Sequence, residues 1–218
     1  MSNNRRQVGH RCRGETGFTI IELMISTVVF SMVLLLLTTA VINFTKSYYK
    51  GITEANTQRI ARSVTESLTQ TIQFNSGVYT SIADDSGWKG FCFGNEAYVY
   101  KLGWQLTEGT VVDTTIHQTS HALLKLNVTG GCAGGTSALV LASSSSYKSE
   151  ELLAPSMRLA DLELTPLANG AYQLVINIAH GDDDLLLNPT SITPSCFNQS
   201  GSQFCAVSGI STVVQKRI

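Results

Sequence analysis

Proline is scarce in this sequence: there are four in 218 residues, and the first is Pro155. No proline kink is therefore expected in any helix of the amino-terminal half. Charge is scarce too, at 14% of residues, with 15 basic side chains against 16 acidic ones. A disordered chain would combine low hydrophobicity with high net charge, whereas this one is 43% hydrophobic with a net charge of −1. The near balance also excludes a nucleic-acid binder that relies on a broad basic surface. No Cys-x-x-Cys pair, no HExxH zinc helix and no phosphate-loop lysine occurs. No nucleophile–base pair can be proposed from spacing, and there is no internal repeat. What remains is room for one globular domain of ordinary size with an appended segment.

That segment is conspicuous. Phe18 to Phe44 is a run of 27 residues with no Gly, no Pro and one ionisable side chain, Glu22. As a helix it would be about 40 Å long, enough to cross a bilayer core of about 30 Å with some tilt. Only a helix satisfies its own backbone in lipid. Ahead of it, Arg5, Arg6, Arg11 and Arg13 stand against Glu15, a net of +3 that leaves −4 on residues 18–218. The positive-inside bias then keeps the amino terminus in the cytoplasm and exports the bulk of the chain. A cleavable secretory signal fits poorly, because its apolar region is usually 7–15 residues and ends in a small-residue cleavage site. A carboxylate four residues into such a span is costly and either stays at headgroup level or has a partner.

The letters around Glu22 narrow its meaning. Gly14-Glu15-Thr16-Gly17-Phe18-Thr19-Ile20-Ile21-Glu22-Leu23 resembles the processing site of type IV prepilins and type II secretion pseudopilins. The pattern is a basic leader ending in Gly, then Phe, then Glu as fifth mature residue, then a long apolar helix. The resemblance covers roughly residues 1–50. It implies that a membrane prepilin peptidase cuts between Gly17 and Phe18 and methylates the new Phe18 amine. It also implies assembly with other pilin subunits, served by a pilus assembly platform, after storage in membrane lipid. The mature amine and the Glu22 anion would both be expensive in hydrocarbon, so they can cancel within one subunit or between neighbours. Ser26, Thr27, Ser31, Thr38 and Thr39 can return hydroxyl bonds to the helix backbone or serve helix–helix packing.

Beyond Phe44, Ile52, Ile60, Val64, Leu68 and Ile72 form a mostly i, i+4 series that predicts an oblique apolar stripe on the second half of the same helix. A coiled-coil or calmodulin-like face is a poorer reading, since the heptad is missing. Asn75-Ser76-Gly77 is the expected stop. From residue 97 the texture turns β-rich: 97–106, 121–128, 137–143, 158–167, 171–180 and 205–217 read as strands. Asn169-Gly170 is the strongest hairpin signal. The expected fold is α+β, a long helix packed on an antiparallel sheet. The expected organisation is a cleaved basic leader (1–17), an apolar transmembrane and assembly helix (18–50), an amphipathic continuation (51–76) and an exported head (77–218).

Loss of the leader would remove Cys12 and leave Cys92, Cys132, Cys196 and Cys205 on the oxidising side. Four cysteines allow three connectivities; Cys196–Cys205 and Cys92–Cys132 are the favoured pairs. The former would close a ten-residue loop, worth about 2.5–3 kcal/mol in the chain-entropy model, where pilins often carry a disulfide-bounded loop. Asp182-Asp183-Asp184 invites calcium but lacks the spacing of an EF-hand. His117 and His121 lie four apart in a strand-like setting, and the glycines around Cys132 make a flexible connection. No metal, cofactor, catalytic residue or specific nucleic acid is expected. The leading reading is a non-enzymatic structural subunit, a minor pilin by its length and cysteines, ending in a cell-surface filament. A pseudopilin of a secretion or DNA-uptake system is the near alternative. A signal-anchored binding or sensor domain that never polymerises is the distant one, and it gives Gly17 and Glu22 no purpose.

Overall fold

The computed structural model describes residues 17–85, 87–106, 122–128, 132, 148–198 and 200–217. The fold is α+β: one long helix followed by antiparallel sheets. The predicted strand at 137–143, His117, His121 and the four glycines around Cys132 lie outside the described residues.

Helix α1 runs from Ile20 to Phe74, 55 residues without interruption. It contributes to two compact units, Met1–Thr45 and Lys46–Ile218. In the first, every described residue is exposed. The hydroxyls of Ser26, Ser31, Thr38 and Thr39 each donate to the carbonyl four residues back at 2.7–2.8 Å, and Thr27 donates to Met24 at 2.9 Å. Five polar side chains thereby satisfy themselves on an otherwise apolar helix.

In the second unit α1 buries Thr57, Ala61, Val64, Leu68, Thr71 and Ile72. This corrects the stripe read from sequence. Ile52 is 48% exposed and Ile60 only partly buried, while Thr57 and Ala61 are fully buried. Steps alternating between four and three residues track the 3.6-residue turn, so the buried face runs along the helix instead of winding around it. Thr57 tolerates burial because its hydroxyl donates to the Thr53 carbonyl at 2.8 Å.

Strands β1 (Tyr79–Asp85), β2 (Trp88–Phe93), β3 (Glu96–Tyr100), β4 (Leu123–Asn127) and β5 (Lys148–Glu151) form a five-stranded antiparallel sheet in chain order. Strands β6 (Met157–Pro166), β7 (Ala171–His180) and β10 (Ala206–Gln215) form a second sheet in the order β10-β7-β6. A two-stranded ribbon pairs β8 (Leu186–Leu187) with β9 (Ser195–Cys196). The single sheet expected from sequence is therefore divided. Strands β1, β2 and β5 were not expected, and the 97–106 run is strand only to Tyr100.

Both principal sheets face the helix. Phe91, Phe93, Tyr98, Tyr100 and Leu123 from the first join Leu162, Leu164, Leu174, Ile176 and Ile178 from the second around Val64, Leu68 and Ile72. The second sheet alternates along much of its length, with Glu163, Gln173, Ser211 and Val213 exposed, although β6 begins with four buried residues, Met157 to Ala160. The first sheet is apolar on both faces: Ile82, Trp88, Cys92, Ala97, Val99, Leu124 and Leu126 form a separate buried cluster against Cys132. Tyr79 bridges the sheets, 5.7 Å from Phe93 and 6.2 Å from Tyr172 between ring centroids. Tyr100 adds a hydroxyl bond to the Leu162 carbonyl at 3.1 Å.

Turn chemistry closes the frame. Asn169 and Gly170 take φ of 62° and 71° between β6 and β7, as the hairpin signal requires. At the end of α1, the Gly77 N–H donates to Asn75 Oδ1 at 2.9 Å. A Cβ on Gly77 would collide with the backbone of Phe93 and Gly94. Lys216 Nζ donates to the Gly77 carbonyl at 2.8 Å and the Arg217 N–H to that of Gln73 at 3.2 Å. The last strand is thus tied to the helix end, where a cation is favoured.

Candidate functional site

The start of α1 is built by Thr19. The Glu22 N–H donates to Thr19 Oγ1 at 3.3 Å and to its carbonyl at 3.1 Å, and the Leu23 N–H donates to the same carbonyl at 3.2 Å. Thr19 is therefore the N-cap and Glu22 the third helical residue, the spacing of a capping box. The sequence carries that signal as Thr-x-x-Glu, but the expectation of a helix from Phe18 passed over it. Glu22 lies in the first turn, where the helix dipole favours an anion.

Around this start nothing is enclosed. Phe18 is 73% exposed, and a side chain at Gly17 would meet nothing within 4 Å. The exposed apolar residues continue from Phe18 through Phe44. Among the described residues α1 is the one helix long and apolar enough to cross a membrane. Chemically the arrangement offers an accessible Gly–Phe bond, one carboxylate a turn away, and an apolar surface on every side of the helix.

The head carries cross-links and ion pairs. Cys92 pairs with Cys132 and Cys196 with Cys205, with Cα separations of 6.4 and 5.8 Å. The first pair fastens the outer cluster of the five-stranded sheet. The second closes a loop whose 3-10 turn, Ser202–Phe204, follows Gly201 at φ 99°. The His180 ring Nδ1 lies 3.0 Å from the Phe204 carbonyl, so His180 holds this loop.

The acidic run 182–184 has a different task from the one its composition suggests. Asp183 pairs with Arg158, a β6 side chain only 2% exposed, and Arg158 also donates to the Gly181 carbonyl at 3.0 Å. Asp182 accepts from Gln105 at 2.9 Å. These carboxylates are drawn to two separate donors and share no common centre. Among the described residues no group of three His, Cys, Asp or Glu is placed to hold a metal ion.

A further polar network joins helix to sheet. Thr71 Oγ1 lies 2.5 Å from Glu96 and 2.7 Å from the Tyr98 hydroxyl, and Lys125 reaches Glu96 at 3.4 Å. Burial would lower the Lys125 pKa, yet Tyr98 and Glu96 together outweigh it and raise it above the ordinary 10.5. On the outer face of β6, burial first and then the neighbouring Glu163 raise Asp161 above the ordinary 3.8. Neither group sits in an enclosed cavity with a nucleophile, and both read as parts of the frame.

Residues 12–38 match the family model described as "Prokaryotic N-terminal methylation motif". No curated protein and no solved structure matches the chain. The motif, followed by a long apolar helix, fits the type IV pilin-like family.

Proposed function

We propose that the chain is a structural subunit, of the minor class, in a type IV pilus-like filament. One observation carries this reading: the methylation motif at 12–38 leads directly into the apolar part of a 55-residue helix. On this reading prepilin peptidase cuts between Gly17 and Phe18 and methylates Phe18. The apolar helix stores the subunit in the membrane with its amino terminus in the cytoplasm and its head exported. Assembly partners then replace lipid around the exposed apolar helix.

Glu22 sets the register of that exchange. In a packed bundle the Phe18 amine and the Glu22 carboxylate are the two charges of an apolar layer, and a neighbouring subunit brings them together. Desolvation offsets much of their attraction, so the pair selects axial position more than it adds strength. Removing one partner strands the other, which costs about 3–5 kcal/mol when the site is buried. Glu22→Ala should therefore be cleaved normally yet reach sheared surface filaments at least tenfold less often than the parent. Parental amounts of Glu22→Ala in the sheared fraction would remove this role.

A further inference from the structure

Strand β10 is an edge of the second sheet, and its composition differs from that of the other edges of the two main sheets. β1 ends in Asp84 and Asp85, β5 holds Lys148, Glu150 and Glu151, and β6 holds Arg158, Asp161, Glu163 and Pro166. Charge and proline on an edge discourage pairing with another chain. The ten residues of β10 include neither, and Val207, Ile210, Thr212, Val213 and Val214 favour extended backbone. The ladder shows which of its groups are free. The Lys216 N–H donates to the Gly170 carbonyl at 3.1 Å and continues the pairing with β7, so the even-numbered residues of β10 turn their backbone groups to β7. Those of Val207, Gly209, Ser211 and Val213 point the other way. The Arg217 N–H, turned the same way, is taken by the Gln73 carbonyl at 3.2 Å. Among the described residues no backbone hydrogen bond reaches the edge from Val207 to Val213. The core also thins here. Leu174, Ile176 and Ile178 of β7 are fully buried and Leu162 and Leu164 of β6 are buried, whereas Ser208, Ile210 and Thr212 of β10 are half-buried.

We infer that β10 accepts a strand from a neighbouring subunit of the filament, so that the second sheet continues across the boundary between the two. The inference rests on the filament reading given above. An extended backbone is what matches donors and acceptors spaced along a strand edge, and main-chain bonds of this kind supply affinity while side-chain pockets supply specificity. Side chains laid over the half-open inner face meet Ile210 and Thr212, so apolar or hydroxyl groups fit there. At the start of β10 a cavity of about 490 Å³ opens toward α1, lined by Lys50, Glu54 and Gln58 on one side and by Asn198, Ala206 and Val207 on the other. It offers an ammonium, a carboxylate and two amides to one polar side chain of the incoming strand. A twofold copy does not fit the edge. β10 runs alongside α1 in the same direction, from the Phe204–Tyr49 ring contact at 5.7 Å to the bond between Arg217 and Gln73. A twofold pairing of β10 with β10 runs the strands antiparallel and opposes the two helices, whereas subunits stacked along one filament share a direction.

The test places a photoreactive benzoylphenylalanine in the full chain, at Val213 or at Glu163 on the opposite edge of the sheet. Cells are irradiated, surface filaments are sheared off, and cross-linked peptides are identified by mass spectrometry. Val213 should give at least fivefold more product between subunits than Glu163, joined to a chain that itself carries a processed, methylated amino terminus. Two changes at Ser211 then separate strand pairing from simple proximity. Ser211→Pro removes one outward N–H and leaves the ladder to β7 intact, and Ser211→Lys keeps every N–H but charges the edge. Each should cut the Val213 product at least fivefold with the thermal midpoint of the purified chain unchanged, while Ser211→Ala keeps the product. If the chain is in the sheared fraction and Val213 yields no more than Glu163, or neither Ser211→Pro nor Ser211→Lys lowers the yield, strand addition is refuted and the filament reading stands. A product joining β10 to β10 of an identical chain replaces the neighbouring strand with a twofold dimer. A chain absent from the sheared fraction and still carrying residues 1–17 overturns the filament reading and strand addition with it.

Discussion

Glu22 has two physical demands on it. Its backbone closes the first turn of α1 on Thr19, and its side chain is the one ionisable group of the apolar run. The first demand is local and would be met by many residues; the second is met only by an acid. The methylation motif around Gly17 and Glu22 was legible because it is contained in a short run of letters. Arg158 was not, because its counter-ion is 25 residues away and is defined by the pairing of β6 with β7. Asp161 offers a pH test of the same strand. Its raised pKa means the folded state holds its proton more tightly than the unfolded state does. The ionised carboxylate therefore weakens the fold above its folded pKa, and the penalty disappears as pH falls through that value toward 3.8. Asp161→Asn should stabilise the detergent-solubilised chain at pH 7 by about 0.5 kcal/mol, allowing for solvent screening. Denaturant titrations at pH 7 and pH 3.5 should show that gain shrinking at the lower pH.

Among the elements, α1 was readable as a helix because its apolar run and its i, i+4 series agree on the period. Its buried face was misjudged because Thr57 and Ala61 carry little hydrophobic signal, although small side chains let the sheets approach closely. Leu68→Ala should cost about 2–5 kcal/mol by the cavity it leaves, whereas Ile52→Ala should stay within about 0.5 kcal/mol. Chemical denaturation of the two variants in detergent separates the observed stripe from the one expected. Strands β6, β7 and β10 were visible because one-sided burial writes alternation into their letters. Strands β1 and β2 were hidden for the opposite reason. Trp88, Gly90, Phe91, Cys92 and Phe93 are all buried, so no alternation survives, and Gly87 and Gly94 read as turns. Asn75-Ser76-Gly77 was expected to end the helix, and what the structure requires of Gly77 is its missing Cβ beside Gly94. Gly77→Ala should lower stability by about 1–3 kcal/mol, the range for overpacking, read as a fall in the thermal midpoint.

The chain carries an exposed apolar helical segment and a cross-linked α+β head. On the proposed reading, the apolar surface extending from Phe18 to Phe44 is covered first by lipid and then by copies or relatives of the same helix. The head's two disulfides fit an oxidising side of the membrane. What was not legible from sequence was the layout of the head, whose two main sheets are set by long-range pairing. Intact-mass spectrometry of the native product, taken from cells with active prepilin peptidase, tests the account most directly. The mass should be that of residues 18–218 with both disulfides formed and one methyl group on Phe18. A chain that still carries residues 1–17 under those conditions would contradict it.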